Sequence, residues 1–336
     1  MNGVINRLKI AKKPKIKTKI NFSKCFKILL TIAGMILFIS DPKQYIASFS
    51  NGLSLFAKSV LPALFPFFFF TKTLTSLGGA KFIGKILGKP IRKAYNTPKI
   101  AGYIFAMSLM SGYPIGASVT SDFYNNKLIT REDALAVTAF CSTSGPLFVL
   151  GTVNGFFDNY KFAVLMLLTN YFSALINGFL YRNKQCENDC DFIVSKENDL
   201  SKNIRDSIAS ILMVGGFIAL FNMIADMLST LGILPTLGSW VDSIFSFIPD
   251  GTGYAFFVGI IEMTKGCVLL SVSGTTLTNA CLCSFVLAFG GVGIAMQSIA
   301  FLQKCNVKPS EYFIRKFSQA TIALILTIPL SFLFLN

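Results

Sequence analysis

The stretch that decides the fold is MSGYPIGASVTSDF, residues 110–123, in the middle of a long apolar region. It contains two Gly, one Pro and four Ser/Thr hydroxyls, while its neighbours have the composition of membrane helix. Backbone N–H and C=O groups cannot stay unpaired in lipid, so a broken helix at membrane depth must border protein or a water-filled cavity. The stretch therefore predicts an interrupted membrane helix beside a cavity.

The composition indicates a membrane protein. Of the 336 residues, 53% are hydrophobic and 14% are charged, whereas soluble domains have about 25% charged residues. The mean hydropathy is +0.60, and apolar blocks follow one another along the chain, leaving no room for a separate soluble domain. We therefore expect an all-α, multi-pass integral membrane protein.

The charge distribution predicts the orientation of the N-terminus. The net charge is +15, and the first acidic residue is Asp41, after the first apolar block at 28–40. Basic residues before that block favour a cytoplasmic N-terminus and contact with anionic lipid headgroups rather than nucleic acid. The basic residues concerned are Arg7, Lys9, Lys12, Lys13, Lys15, Lys17, Lys19, Lys24 and Lys27.

The residue inventory argues against catalysis. The chain has no His, which rules out Ser/His/Asp and Cys/His mechanisms and removes the commonest general base. Its eight Cys form no CxxC pair, so no zinc site is expected. No Walker A motif is present. We therefore expect no enzyme activity, no catalytic residue, no metal site and no cofactor.

A polar interval at 183–206 divides the chain into two halves. The predicted organisation is a basic segment at 1–24, a first membrane half at 25–182, a linker at 183–206 and a second half at 207–336. Helix-breaking motifs recur about 150 positions apart: SGYPIGA (111–117) corresponds to EMTKGC (262–267), and CSTSGPLFVLGTV (141–153) to AFGGVGIAMQS (288–298). This spacing favours a two-fold repeat, although Gly-rich membrane helices could share it by chance.

In each half, the first break is predicted to lie at the tip of a re-entrant hairpin and the second to interrupt a spanning helix. Together the four breaks would form one polar pocket, because exposed helix N-termini suit a carboxylate or phosphate. Close packing of helices through small residues is the alternative explanation of any single break. The candidate substrate-binding residues are Ser111, Gly112, Tyr113, Pro114, Thr143, Ser144, Gly145, Asn222, Glu262, Thr264, Lys265, Gly290 and Gly291.

Glu262 and Lys265 are charged residues in an otherwise apolar block. A charge at the bilayer centre costs about 2.5–3.5 kcal/mol on insertion scales and is usually paired or functional. The two residues are close enough to meet on one helix face, so they could simply neutralise each other. In the functional interpretation, Lys265 attracts an anion, while Glu262 orients it or takes up a coupling proton or sodium ion. Asn222 and Asp226 are further candidates for lining the cavity, Gln297 is a weaker candidate of the same kind, and Tyr113 could stack on a flat ring.

SGYPIGA, TSGPLFVLGTV, EMTKGC and AFGGVG resemble the nucleoside-recognition (Gate) domain membrane proteins, over about residues 28–335. The resemblance, which extends to sporulation members of that family, implies a fold related to concentrative nucleoside transporters, with two re-entrant hairpins and inverted repeats. It also implies a role in late sporulation, in the outer forespore membrane, where such proteins are thought to carry dipicolinic acid from mother cell to forespore.

The leading hypothesis is therefore a transporter for a small aromatic dicarboxylate that works by alternating access. Dipicolinate is a flat ring with two carboxylates, which helix N-termini, hydroxyls and Lys265 could receive. A nucleoside carrier is one alternative, and a non-transporting membrane scaffold for spore maturation is another. A homo-oligomer is also possible.

Overall fold

The computed structural model describes residues 22–184, 199–245 and 248–335, and these residues contain helices and connecting segments but no strand. The chain divides into a short unit that ends at Lys43 and a large unit that begins at Gln44. The short unit contains α1 (Phe22–Ser40), an apolar helix. Most of the basic segment predicted at 1–24 lies outside the described residues, and α1 already begins at Phe22.

The large unit is an assembly of helices, most of them interrupted by breaks or sharp bends. Two π-helical turns, Phe56–Val60 and Phe148–Val153, and one 3₁₀ turn, Gln303–Cys305, join some of them. In chain order the helices are α2 (Pro42–Leu55), α3 (Leu61–Ser76), α4 (Gly79–Tyr95), α5 (Ala101–Ser111), α6 (Ile115–Asn125), α7 (Arg131–Val137), α8 (Asn154–Phe157), α9 (Tyr160–Leu180), α10 (Leu200–Thr230), α11 (Ile233–Ile244), α12 (Thr252–Ile261), α13 (Met263–Ser271), α14 (Leu277–Phe289), α15 (Gly291–Leu302) and α16 (Pro309–Phe334).

Within the described part of the chain, four helical stretches are long and apolar enough to cross a membrane. They are α9, α10, the stretch Leu277–Cys305 that combines α14 and α15, and α16. A fifth candidate is the pair Pro42–Val60 and Leu64–Ser76, which is bent by 57°. The predicted class, an all-α polytopic membrane protein, is confirmed.

The polar linker predicted at 183–206 ends earlier in the structure than in the prediction. Helix α10 begins at Leu200, because the Asp199 carboxylate caps it and accepts hydrogen bonds from the backbone N–H of Ser201 (2.9 Å) and Lys202 (3.2 Å). A capping Asp satisfies N–H groups that have no partner within the helix. The second half therefore begins near residue 200 rather than 207, while residues 185–198 lie outside the described residues.

Both predicted hairpins are present. Helices α5 and α6 fold back on each other about Gly112, so the rings of Tyr103 and Phe123 stack at 5.8 Å. Helices α12 and α13 do the same about Glu262. There Gly259 and Gly266 bring the two backbones into contact, and a Cβ added at Gly266 would overlap the Gly259 backbone. Glycine at the crossing permits this approach because it has no side chain.

Helix α16 packs lengthwise between α9 and α14. Thr327 Oγ1 donates to Ser284 Oγ of α14 at 2.7 Å, and Asn177 Nδ2 of α9 donates to the Arg315 carbonyl at 3.1 Å. These polar contacts between helices hold α16 in register with both neighbours, and this register fixes where the side chains of its first turns point.

Candidate functional site

The two breaks of the first half lie against each other. Gly112 ends α5 with φ of +78°, a conformation that L-residues rarely adopt. Its backbone contacts that of Gly145, and a Cβ added at Gly145 would lie only 2.5 Å from the Ser111 carbonyl oxygen. The tip of the α5–α6 hairpin therefore rests directly on the non-helical segment before the turn Phe148–Val153.

The two breaks of the second half meet in the same way. Gly290 separates α14 from α15 with φ of +82°. A Cβ added at the next residue, Gly291, would lie 3.0 Å from the Met263 backbone nitrogen and 3.1 Å from the Gly259 carbonyl oxygen. The interruption of the long helix thus rests on the tip of the α12–α13 hairpin.

Two hydrogen bonds then join the breaks of one half to those of the other. Tyr113 Oη donates to the Ala288 carbonyl at 2.9 Å, and Ser144 Oγ donates to the Leu287 carbonyl at 3.1 Å. Both carbonyls belong to the last turn of α14, where the break leaves acceptors without helical partners. All four breaks therefore converge, as the sequence predicts.

A cavity lies at this convergence. It holds about 70 Å³ of space for the centre of a water-sized sphere, and one water needs about 10–15 Å³ on that measure. With its mouth and the open solvent there included, the empty space is about 680 Å³. The lining residues are Ser59, Val60, Leu64, Phe67, Ser111, Tyr113, Ser144, Gly145, Leu147, Phe148, Thr152, Val214, Ile218, Glu262, Met263, Thr264, Ile294 and Gln297.

A few polar groups face this mostly apolar cavity. Ser111 Oγ is buried and has no hydrogen-bond partner within the described part of the chain. The Glu262 carboxylate caps α13 and accepts from the backbone N–H of Lys265 at 2.6 Å. Because that carboxylate sits on a helix N-terminus, the helix dipole offsets part of its negative charge. Because Ser111 Oγ has no partner among the described residues, its hydroxyl is available to a bound solute.

Two of the predicted site residues form hydrogen bonds to neighbouring helices and do not line the cavity. Thr143 Oγ1 donates to the Ser108 carbonyl at 3.2 Å, and Asn222 Nδ2 donates to the Ser48 carbonyl at 2.6 Å. Their side chains are committed to helix packing. The predicted residues that lie outside the cavity lining are Gly112, Pro114, Thr143, Asn222, Lys265, Gly290 and Gly291.

Lys265 differs most from its predicted role. It does not pair with the Glu262 side chain. Instead its ammonium forms an ion pair with Asp226 on α10. The sequence indicated a charged pair in the membrane but not the partner, because α10 and α13 are distant along the chain. With its charge matched by a carboxylate, Lys265 does not supply the free cation that the sequence interpretation required.

Gln297 on α15, the weaker candidate from the sequence, lines the cavity. One further polar residue of this region is missing from the predicted site. Lys316 is fully buried and donates a 2.5 Å hydrogen bond to Tyr113 Oη. The sequence could have marked Lys316 as a candidate site residue, because it is a lysine inside the last apolar block and charged residues in membrane segments are usually functional. Phe67 on α3 also lines the cavity.

The fold and the site define a multi-pass helical membrane protein in which four broken segments enclose a small cavity. No family profile matches the chain. The chain is 27% identical over 337 residues to the sporulation integral membrane protein YlbJ of Bacillus subtilis (strain 168), covering 90% of this chain and 82% of the relative. The resemblance to a sporulation membrane protein is thus confirmed.

Among solved structures, the chain is similar to a CNTnw variant in the intermediate 3 state. The TM-score is 0.48 at 14% identity, over 92% of this chain and 85% of the other.

Proposed function

We propose that this protein is a sporulation membrane transporter that carries a small aromatic dicarboxylate, most simply dipicolinic acid. The observation that supports it best is the convergence of four backbone breaks on one cavity with a free hydroxyl, Ser111 Oγ. Transporters commonly place substrates where discontinuous helices meet near the bilayer midplane. The sporulation relative, together with the motifs that resemble Gate-domain proteins, points to the substrate class.

The residues that line the cavity suit a flat ring with carboxylates. Tyr113 offers an aromatic face and Phe67 and Phe148 offer apolar surface, while Ser111 and Thr264 offer hydroxyls. A ring can stack on such walls, and hydroxyls donate to carboxylate oxygens. We therefore expect the ring to pack on the three aromatic side chains and the carboxylates to accept from the two hydroxyls.

A nucleoside is the second candidate, and one observation favours it. The cavity lining includes the Glu262 carboxylate and the Gln297 amide, which are the kinds of acceptors and donors that ribose hydroxyls need. A scaffold without transport remains the third alternative, although a protein that only assembles other proteins has no need of an internal cavity with polar groups in its lining.

For its location, we propose the mother-cell-derived outer forespore membrane, with the N-terminus in the cytoplasm. The basic residues before the first apolar block support this orientation. Transport would proceed by movement of one half against the other around the shared cavity, with a proton or sodium ion as the possible coupling ion.

The test is uptake of labelled dipicolinate and of labelled uridine, side by side, into proteoliposomes containing the purified protein. We expect saturable dipicolinate uptake that unlabelled uridine does not compete away. Saturable uridine uptake without dipicolinate uptake would show that the substrate is a nucleoside and not a dicarboxylate. Uptake of neither solute, by protein that is monodisperse before reconstitution, would favour the scaffold.

A pair of serine variants tests the position of the site. Ser111→Ala removes the free hydroxyl of the cavity, and we expect about tenfold weaker dipicolinate binding, because a hydrogen bond to a charged group contributes about 1.5–3 kcal/mol. Ser243→Ala makes the same chemical change on the exposed face of α11, outside the cavity lining, and should bind like wild type. Equal behaviour of the two variants would place the binding site elsewhere.

A further inference from the structure

Lys316 is a charged side chain that the sequence interpretation did not use. It lies at the start of the third turn of α16 and is fully buried. Its ammonium makes three hydrogen bonds, to Tyr113 Oη (2.5 Å), the Ser142 carbonyl oxygen (2.8 Å) and Gln319 Oε1 (2.7 Å). All three N–H donors of an ammonium are therefore satisfied, so the side chain is held in one place.

None of these acceptors carries a charge. Among the described residues, Lys316 forms no ion pair with an Asp or Glu side chain. By contrast, Lys72 pairs with Asp122 and Lys265 pairs with Asp226. A buried charge without a counter-ion is costly, and such residues in membrane segments usually lie on substrate or ion pathways.

The position of Lys316 relates it directly to the cavity. Tyr113 lines the cavity, and the centroid of its ring is 4.7 Å from Lys316 Nζ. The other two acceptors are the carbonyl oxygen of Ser142, in the segment that leads to Gly145, and Oε1 of Gln319 on α16 itself. The positive charge is thus one side chain away from the space where a solute would bind.

The cavity lining itself contains one charged residue, Glu262, and it is acidic. Without a nearby cation, a carboxylate in the lining would disfavour an anionic solute. Lys265 does not correct this, because its charge is matched by Asp226. In the described part of the chain, Lys316 is a buried lysine that donates to a cavity-lining residue, Tyr113, and forms no ion pair with a carboxylate.

We propose that Lys316 is the fixed cation that sets the charge preference of the cavity, so that a flat solute with carboxylates binds in preference to its uncharged analogue. Lys316 acts as a positioning and specificity residue, through the field that it exerts across the Tyr113 ring and through the hydroxyl that it orients. The inference rests on the proposed function, since it specifies which property of the solute the site recognises.

The test compares dipicolinate with its uncharged diamide, which has the same ring and nearly the same shape. Binding of each compound to purified protein in detergent gives a preference ratio for wild type and for Lys316→Met. We expect wild type to favour dipicolinate by at least about tenfold, because a unit charge within about 10 Å in a medium of effective dielectric constant near 20 acts strongly on a dianion. In Lys316→Met the ratio should fall to about one or below, as Glu262 remains.

Two further variants separate charge from packing. Lys316→Arg keeps the positive charge and should keep the preference for the dianion. Lys72→Met removes an ammonium that already has a carboxylate partner, and it should leave the ratio as in wild type. A loss of affinity for both compounds by the same factor in Lys316→Met would show a merely structural role and overturn the inference.

The wild-type protein provides a test that does not depend on the folding of a variant. Dipicolinate, picolinate and picolinamide have two, one and no negative charges on the same ring. Lys316 predicts affinity in that order, and the reverse order would refute it. If wild type binds none of the three compounds, the proposed function itself fails. If it binds dipicolinate and Lys316→Met keeps the same preference, only the role of Lys316 fails.

Discussion

The contact between Gly145 and the hairpin tip gives the sharpest prediction about stability. A Cβ at position 145 would lie 2.5 Å from the Ser111 carbonyl oxygen, while ordinary contact begins at 3.4 Å. In Gly145→Ala the hairpin tip must therefore retreat by about 0.9 Å, the difference between these distances. The neighbouring atoms are backbone and cannot rotate away, so we expect a cost of about 1–3 kcal/mol from overpacking.

Gly216→Ala is the matched control for this substitution. Gly216 lies within α10, and a Cβ there would meet no atom within 4 Å. Alanine is favoured over glycine inside a helix by about 0.5–1 kcal/mol, so this variant should be slightly more stable than wild type. Gly145→Ala should be less stable than Gly216→Ala by about 1.5–4 kcal/mol.

The assay is thermal unfolding of the two purified variants in the same detergent at one heating rate. A change of 1 kcal/mol shifts the midpoint by about 2–4 °C in domains of 150–250 residues, so the two midpoints should differ by several degrees. The dipicolinate affinity of Gly145→Ala should also fall, because Gly145 lines the cavity. Equal midpoints for the two alanine variants would refute the convergence of the breaks at this contact.

Three further predictions follow from the charged residues. Lys265→Met should destabilise the protein more than the double variant Lys265→Met/Asp226→Asn, because the single change leaves a carboxylate unpaired, and a double-mutant cycle of unfolding free energies measures this coupling. Glu262→Ala should unfold more easily than Glu262→Gln by about 1 kcal/mol, since only glutamine keeps a side-chain acceptor at the start of α13; equal midpoints would argue against the cap. Arg131→Gln, which removes the hydrogen bonds from Nη2 to both carboxylate oxygens of Glu311 (2.8 and 2.7 Å), should lower the unfolding free energy by less than about 1 kcal/mol, and a larger loss would show that this pair is more than a surface ion pair.

The positions of the helix breaks were predictable from the sequence because they depend on local chemistry. Gly112 and Gly290 adopt backbone conformations that favour glycine, and polar clusters in an apolar block must lie where protein or water can pair them. Composition was sufficient for the membrane class, while the correspondence of the two halves stays a prediction from the spacing. These features depend only on residues that are close together in the sequence, so they can be predicted without knowledge of the tertiary structure.

The partners of the charged side chains were not predictable in the same way. The sequence placed Glu262 and Lys265 three positions apart, which suggested a pair, but Lys265 reaches Asp226 on another helix. Thr143 and Asn222 looked like pocket residues and instead hold helices together. Helical periodicity shows which residues share a face of one helix, but not which helix that face meets.

The sequence by itself determined that this is a helical membrane protein whose chain breaks at four points, since hydropathy and the special backbone of Gly and Pro act locally. Only the tertiary structure decided that these breaks enclose one cavity, and that the buried side chain donating to the Tyr113 hydroxyl is Lys316. That residue is 203 positions from the Tyr113 hydroxyl to which it donates. The physical reason is that a hydrogen bond or an ion pair depends on distance in space, and folding alone brings residues so far apart along the chain within 3 Å of each other.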